Sequence, residues 1–429
     1  MHGTTHAIYQ YPNPDEQQAV VNVSVPLLKT TTSSYGNVDK FTTATCGLTL
    51  KDRRKSRALS VVDFRFKPSD KPIYFHPNTL WHLIGMYCNN DDSQHDSTKH
   101  LTWNAFHKSL IEDESQCAQA TVIGYGPFFL ESPTKPDVVQ ASLDYCMKVS
   151  QKLGQQHCVI TRDQAIYEIA LGLQKKHSDK FKTLVLRMGR FHIACNFMGA
   201  IGYFMKSSGI EEILVETGIC GPGTANKYMA GKDYYGMLRA HSLVLAALFQ
   251  LHWNEFEHWL IQESNQCTSD LEFIAVIRAR AADIATALCA PDRDAAQRQS
   301  REMLELEDRI NKLLTNYHDK ACSSATSKLW LMCMDMVQIL KRYIHAECSG
   351  IWEAHLTETE NMLPYLVSAG HHKYVSCLPH YLDAMKKLPE TAPQVDEGFK
   401  SRKIHCPSAS WMLQRCLVGY GYTGVILKG

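Results

Sequence analysis

The chain has 15 cysteines but no Cys-x-x-Cys pair. An odd count at scattered spacing argues against a disulfide framework and for reduced thiols, hence cytosol or nucleus. Met1-His-Gly-Thr-Thr-His6 lacks the basic segment followed by an apolar one that a signal peptide needs. Long apolar runs are also missing. The longest apolar helical candidate, Ser242 to Trp253, falls well short of a membrane span, so a soluble protein is expected. Excess charge of either sign is absent: 45 Lys and Arg stand against 44 Asp and Glu, a net of +1. No global field steers such a chain to nucleic acid or membrane, and binding of that kind must come from a local patch. There is no Walker lysine, no Gly-x-Ser-x-Gly elbow and no His-Glu-x-x-His helix. Gly419-Tyr-Gly-Tyr-Thr-Gly424 fits the dinucleotide spacing by letter, but five residues follow it, too few for a crossover helix.

What is present is concentrated between His157 and Gly218. His157-Cys-Val-Ile-Thr161 is a short apolar, partly β-branched run that places Asp163 at a strand-to-helix turn. Ile166, Ile169, Ala170 and Leu173 then recur at helical spacing. A second strand, Thr183 to Met188, hands over through Gly189 to Phe191 and His192. Such alternation predicts a βαβα unit in which Thr161 and Arg187 lie on adjacent parallel strands, with Asp163 and His192 at one edge. Gly199 and Gly202 interrupt the next apolar helix, and Gly209 precedes Ile210-Glu-Glu-Ile-Leu-Val-Glu216.

The rest of the chain is organised around this unit. Residues 1–50 are rich in Thr, Ser and Asn and are expected to be poorly ordered or edge structure, with 51–230 as an α/β core. Leu59 to Phe66 alternates as a strand would, and 88–100 read as a linker. Residues 231–429 are expected to form a helical domain ending in an irregular tail. Met237–Glu257, Asp270–Ala290, Asp294–Tyr317, Ser327–Glu347, Ile351–Ser368 and Lys373–Leu388 all carry helical periodicity or strong helix formers. Trp330, Met334, Leu340 and Tyr343 should be buried against Leu363 and Leu366. The fold class is therefore α+β, α-dominated, with a small mixed or parallel sheet beside a large helical array.

Few residues offer chemistry. Lys51-Asp-Arg-Arg-Lys-Ser-Arg57 packs five basic residues into seven. Arg53, Arg54, Lys55 and Arg57 form either a local patch for DNA or RNA or a solvated turn. His372, Cys377 and His380, with His371, are zinc-type ligands on neighbouring turns, but a surface or core role accounts for them as simply. Metal-dependent phosphoryl transfer needs two or three carboxylates converging on magnesium or manganese. Asp163 and Glu212 could supply two of them. The bland reading is that Asp163 caps the helix that follows it, as isolated acids near helix starts usually do. His192 is open between a structural and a site role.

Several blocks resemble a known family. They are Thr161-Arg-Asp-Gln-Ala-Ile-Tyr167, Leu186-Arg-Met-Gly-Arg-Phe-His192, Met198-Gly-Ala-Ile-Gly202, Ser208-Gly-Ile-Glu-Glu-Ile213, Met229-Ala-Gly-Lys232 and Leu238-Arg-Ala-His241. They resemble the signature blocks of uncharacterised multicopy animal proteins that look mobile-element derived and are related to a transposon-associated domain of unknown function. Lys328-Leu-Trp330, Asp335-Met-Val337, Met362-Leu-Pro-Tyr365 and Ala369-Gly-His371 match its helical half. The resemblance implies a relation to nucleic-acid-processing enzymes of the transposase and nuclease kind, with a ribonuclease-H-like core. The family has no assigned activity to carry over; the core is inferred from the order of its acids, which makes Asp163, Glu212, His192 and Asp39 the catalytic candidates. Asp163, Glu212 and Asp39 would then hold magnesium or manganese. The family has Trp-Asp-Asn followed two residues later by an acid, where this chain reads Tyr35-Gly-Asn-Val-Asp39, so Gly36 replaces the first acid. The family chain also runs further at both ends, which implies a shortened, degenerate copy. The competing expectation is a non-enzymatic helical module that binds protein partners through residues 231–390. Either form would be intracellular, in nucleus or cytoplasm, with no membrane contact.

Overall fold

The computed structural model describes residues 4–11, 76–89, 122–125, 131–263, 268–289, 309–401 and 421–428. Its centre is the pair of apolar runs singled out above. They form β3 (Cys158–Arg162) and β4 (Leu184–Met188), buried at every residue, as near-continuous apolar strands covered on both faces are. The two are parallel, with Thr161 opposite Arg187 and Arg162 opposite Met188. That is the predicted adjacency.

The sheet is wider than the sequence suggested. Its order is β2-β1-β5-β3-β4, where β1 is Thr4–Tyr11, β2 is Val122–Tyr125 and β5 is Gly421–Lys428. β1 runs parallel to β5 and antiparallel to β2, and β5 runs antiparallel to β3. The sheet is thus small and mixed in a chain dominated by helices, an α+β fold. Two expectations need correction. A stretch read as loop or frayed edge supplies β1, and the tail read as irregular supplies β5, whose first residues belong to the glycine-rich Gly419–Gly424 segment. Both pair across most of the chain length, so their stabilising contacts are invisible to any local window. The expected strand at Leu59 to Phe66 lies outside the described residues.

The chain forms two compact units, each discontinuous in sequence. One contains residues 1–65, 118–200 and 342–429, the other 66–117 and 201–341. This differs from the expected division at residues 50 and 230. Of the four passages from one unit to the other, those at residues 200–201 and 341–342 fall inside α4 (Arg190–Phe204) and α9 (Ala325–Ser349), so no change in composition marks these two; the other two lie outside the described residues.

In the first unit, α2 (Pro136–Lys152) opens with Pro136 in its first turn and Asp137 against the positive end of its dipole, with Lys152 at the other end. Its buried stripe, including Val138, Val139, Leu143 and Cys146, faces inward. α3 (Gln164–Lys176) crosses between β3 and β4, burying Ile166, Ile169, Ala170 and Leu173. These are the residues whose spacing predicted it. α10 (Trp352–Ser368), α11 (His372–Lys386), α12 (Leu388–Thr391) and α13 (Pro393–Lys400) complete the unit. Trp352 stacks on Phe399 with ring centroids 4.1 Å apart, tying α10 to α13.

The second unit holds α1 (His76–Asn89), α5 (Ile210–Glu216), α6 (Pro222–Met229), α7 (Tyr234–Glu263), α8 (Thr268–Cys289), helical residues 309–321 and the first part of α9. Glu257 accepts from Tyr87 at 2.9 Å, Trp253 at 3.0 Å and Arg278 at 2.7 Å, joining α1, α7 and α8. The glycines expected to interrupt α4 do not break it. Gly202 is there because a Cβ would run into the Met229 carbonyl, and Gly236 because a Cβ would meet the Tyr228 ring. Of the predicted α9 stripe, Met334, Leu340 and Tyr343 are buried, as are Leu363 and Leu366, while Trp330 is half-buried.

Candidate functional site

The parallel strands deliver two turns to one edge. β3 ends at Asp163, which keeps an extended backbone (φ −63°, ψ 155°) and caps α3, its Oδ1 accepting from the Gln164 N–H at 2.6 Å. β4 ends at Gly189, whose N–H donates to the Arg162 carbonyl at 2.7 Å. A Cβ there would lie 3.2 Å from that oxygen, tighter than ordinary contact, so the approach of the two turns favours glycine. Two residues into α4, His192 brings Nε2 to 3.7 Å from Asp163 Oδ1, both side chains about one-third exposed. At that distance they attract only when the imidazole is protonated.

α11 closes the same edge. Asn196 donates Nδ2–H to the His192 carbonyl at 2.8 Å, which leaves its Oδ1 facing His371 Nδ1 at 3.0 Å. His371 must therefore carry its proton on Nδ1. Burial holds its pKa below the ordinary value. Gln164 reaches Lys373 O at 3.5 Å and Cys377 Sγ at 3.7 Å. Tyr374 is buried nearby; burial and then the Asp163 charge push its hydroxyl well above the ordinary range. Cys195 is pushed up to about 12 by burial, so it is no thiolate nucleophile.

The structure thus brings Asp163 and His192 together. Glu212 belongs to the second unit, exposed in the first turn of α5. Asp39, Gly36, Arg53, Arg54, Lys55 and Arg57 lie outside the described residues. Among the described residues, no group of three His, Cys, Asp or Glu is arranged to hold a metal ion. No helix among them is long and apolar enough to cross a membrane.

Residues 102–407, more than half of the chain, match the family described as Domain of unknown function (DUF8702). The chain belongs to the DUF8702 family. No curated protein and no solved structure matches it. The matched segment contains Asp163, His192 and Glu212, whereas β1 and β5 lie outside it.

This DUF8702 chain also has a polar cluster that was not legible beforehand. Arg187 on β4 donates to Glu347 Oε1 at 2.7 Å, and Arg190 bonds the Glu347 carbonyl at 3.1 Å. The Glu347 carboxylate also meets His355 Nδ1. His355 Nε2 lies 2.7 Å from the Tyr381 hydroxyl. The Arg187 guanidinium sits 5.5 Å from the Trp352 ring and 5.7 Å from Phe399, a cation–π arrangement. Burial alone would raise the Glu347 pKa, but Arg187, His355 and Arg190 outweigh it and hold the carboxyl well below its usual range. Burial keeps His355 below its ordinary value, although Glu347 opposes this. The result is a carboxylate–imidazole–hydroxyl chain with the connectivity of a catalytic relay. Glu347, His355 and Tyr381 are at most 2% exposed, so no substrate reaches it and its role is to hold β4, α9, α10 and α11 together. The sequence signal was there in part. Extending the Leu340 and Tyr343 stripe by one turn lands on Glu347, and Arg187 is the one charged residue of β4.

Proposed function

We propose that this is a transposable-element-derived protein, related to transposase- and nuclease-like enzymes, that no longer performs metal-dependent phosphoryl transfer and acts through its helical surfaces. The relation to such enzymes rests on the sequence blocks around Asp163, His192 and Glu212. The loss of chemistry rests on one observation, the surroundings of the Asp163 carboxylate. It lies at the first turn of α3, beside His192 in the first turn of α4, and within electrostatic reach of Tyr374 in the first turn of α11. The start of α3 carries the positive end of a backbone dipole, which favours an anion by about 0.3–1 kcal/mol and disfavours a cation correspondingly. Asp163 is itself the anion at the start of α3, held by the Gln164 N–H. A divalent cation there would face that helix N-terminus and a histidine with one carboxylate among the described residues in its favour, and that carboxylate is already engaged in a cap.

In this reading the protein is intracellular, in nucleus or cytoplasm, with reduced thiols. Its partners are proteins bound through the helical half, or DNA or RNA bound through Arg53, Arg54, Lys55 and Arg57.

The purified chain is incubated with labelled single- and double-stranded DNA and RNA in the presence of manganese or magnesium. No cleavage above the metal-free control is expected, and Asp163→Ala lowers the urea midpoint without changing that background. Metal-dependent cleavage that disappears in a folded Asp163→Ala variant would falsify the reading.

A further inference from the structure

Helix α7 has two unlike faces. One buries Leu245, Phe249, Trp253, Phe256 and Leu260 in the second unit. On the opposite side Leu251 is 63% exposed, Ile261 59% and Leu243 44%, and Ala247, Asn254 and His258 are exposed with them. Ala247, Leu251, Asn254, His258 and Ile261 follow steps of four, three, four and three residues. That is the seam of a two-helix coiled coil, narrower than the stripe a helix presents to a globular core.

From Leu251 to Ile261 the seam is the same read from either end. Laid antiparallel on its own copy, with a twofold axis level with Phe256, Leu251 meets Ile261 of the second copy and Asn254 meets His258. Each pairing is chemically matched: aliphatic on aliphatic, amide on imidazole. A twofold contact demands this reciprocity, residue i on j and j on i. An apolar partner or a lipid surface would leave Asn254 and His258 covered without hydrogen bonds, a penalty of about 1–3 kcal/mol for each group. A second copy satisfies both.

We propose that α7 is a self-association helix, and that its exposed face is covered in solution by α7 of a second copy of this chain, antiparallel. The seam is about three turns long, which places the contact at the small end of specific interfaces and makes the dimer weak and concentration-dependent. The same register puts Glu255 of each copy on one side of the seam near the axis, so two like charges face each other. This repulsion distinguishes the arrangement from a merely sticky patch.

The test is sedimentation equilibrium on the full chain under reducing conditions, over a wide concentration range. A monomer–dimer equilibrium is expected. Leu251→Glu should raise its dissociation constant at least about tenfold. Glu255→Gln, which removes only the repulsion, should lower it about twofold. A short bismaleimide should link the introduced thiols of Glu255→Cys above the background of the parent chain, and should not link those of Leu243→Cys, which this register sets far apart. A chain that stays monomeric at every concentration overturns the proposal, whether its α7 is bare or covered by another segment. So does a dimer indifferent to Leu251→Glu and Glu255→Gln, or one that cross-links through Leu243→Cys and not through Glu255→Cys.

Discussion

Arg187 and Glu347 meet at 2.7 Å with side chains 5% and 0% exposed, on a strand and a helix between which the chain passes through residues 201–341 of the second unit. A charge pair this deep loses nearly all its hydration, so each member is tolerated only while the other is present. Arg187→Met leaves Glu347 with Arg190, whose Nη1 is 3.6 Å from Oε2, and with His355. The expected loss is about 3–5 kcal/mol, read from the urea midpoint. A loss under about 1 kcal/mol would mean that Arg190 takes over the pairing.

Acid should destabilise the second unit. Burial lowers His241 and His252 to about 4 and His82 to about 3; the charges of His318 and Lys341 add to the effect at His252 and His82 respectively. Unfolded, each takes up a proton near its ordinary value of about 6.5. The folded state is therefore not penalised above that value, and stability falls as pH drops from about 6.5 towards 4. Each histidine contributes about 1.4 kcal/mol per pH unit in that window. Urea titrations at successive pH values should show the slope, and His241→Leu should flatten it by about one third. Equal slopes for parent and variant would show that His241 does not titrate on unfolding.

Gly202→Ala pushes a methyl group into the Met229 backbone carbonyl, which has no rotamer with which to retreat. A decrease of about 1–3 kcal/mol is expected. Gly236→Ala meets the Tyr228 ring, a side chain that can move, so its effect should be the smaller one. Thermal melts of the two variants decide the order.

Thiol labelling should sort the cysteines by burial. Cys146 and Cys333 are pushed up to about 12 by burial and Cys158 above that, so all three should label only after denaturation. Cys220 and Cys322 are half-buried, with smaller upward shifts, and should label before those three, in the native protein. Peptide mapping after a timed pulse of maleimide reads the order directly.

Much of the first unit was legible because its signals are local. The β3–α3–β4 alternation, the cap at Asp163 and the meeting of Asp163 with His192 all follow from apolar runs and turns within about thirty residues. The described helices after Met237 were legible for the same reason; most of the expected Asp294–Tyr317 helix lies outside the described residues. β1 and β5 were not, because polar composition masks a strand whose partner lies at the other end of the sequence. Nor was the partition of the chain, since α4 and α9 continue unbroken through two of its crossings. Glu347 and His355 sit on apolar stripes that the eye reads past, because a charged residue breaks the pattern it in fact completes.

The antiparallel pairing of β5 with β3 has a consequence for the order of folding. Ile160 and Thr161 find their neighbours Val425 and Gly424 only after more than 260 residues of intervening chain have been made. During synthesis β3 and β4 can pair and α3 can cover them, yet the other side of β3 offers open backbone donors and acceptors until residues 421–428 arrive. For that interval the nascent protein carries an adhesive edge that the finished one does not. Ribosome-bound chains stopped before Gly421 should therefore recruit chaperones more strongly than chains extended past Lys428.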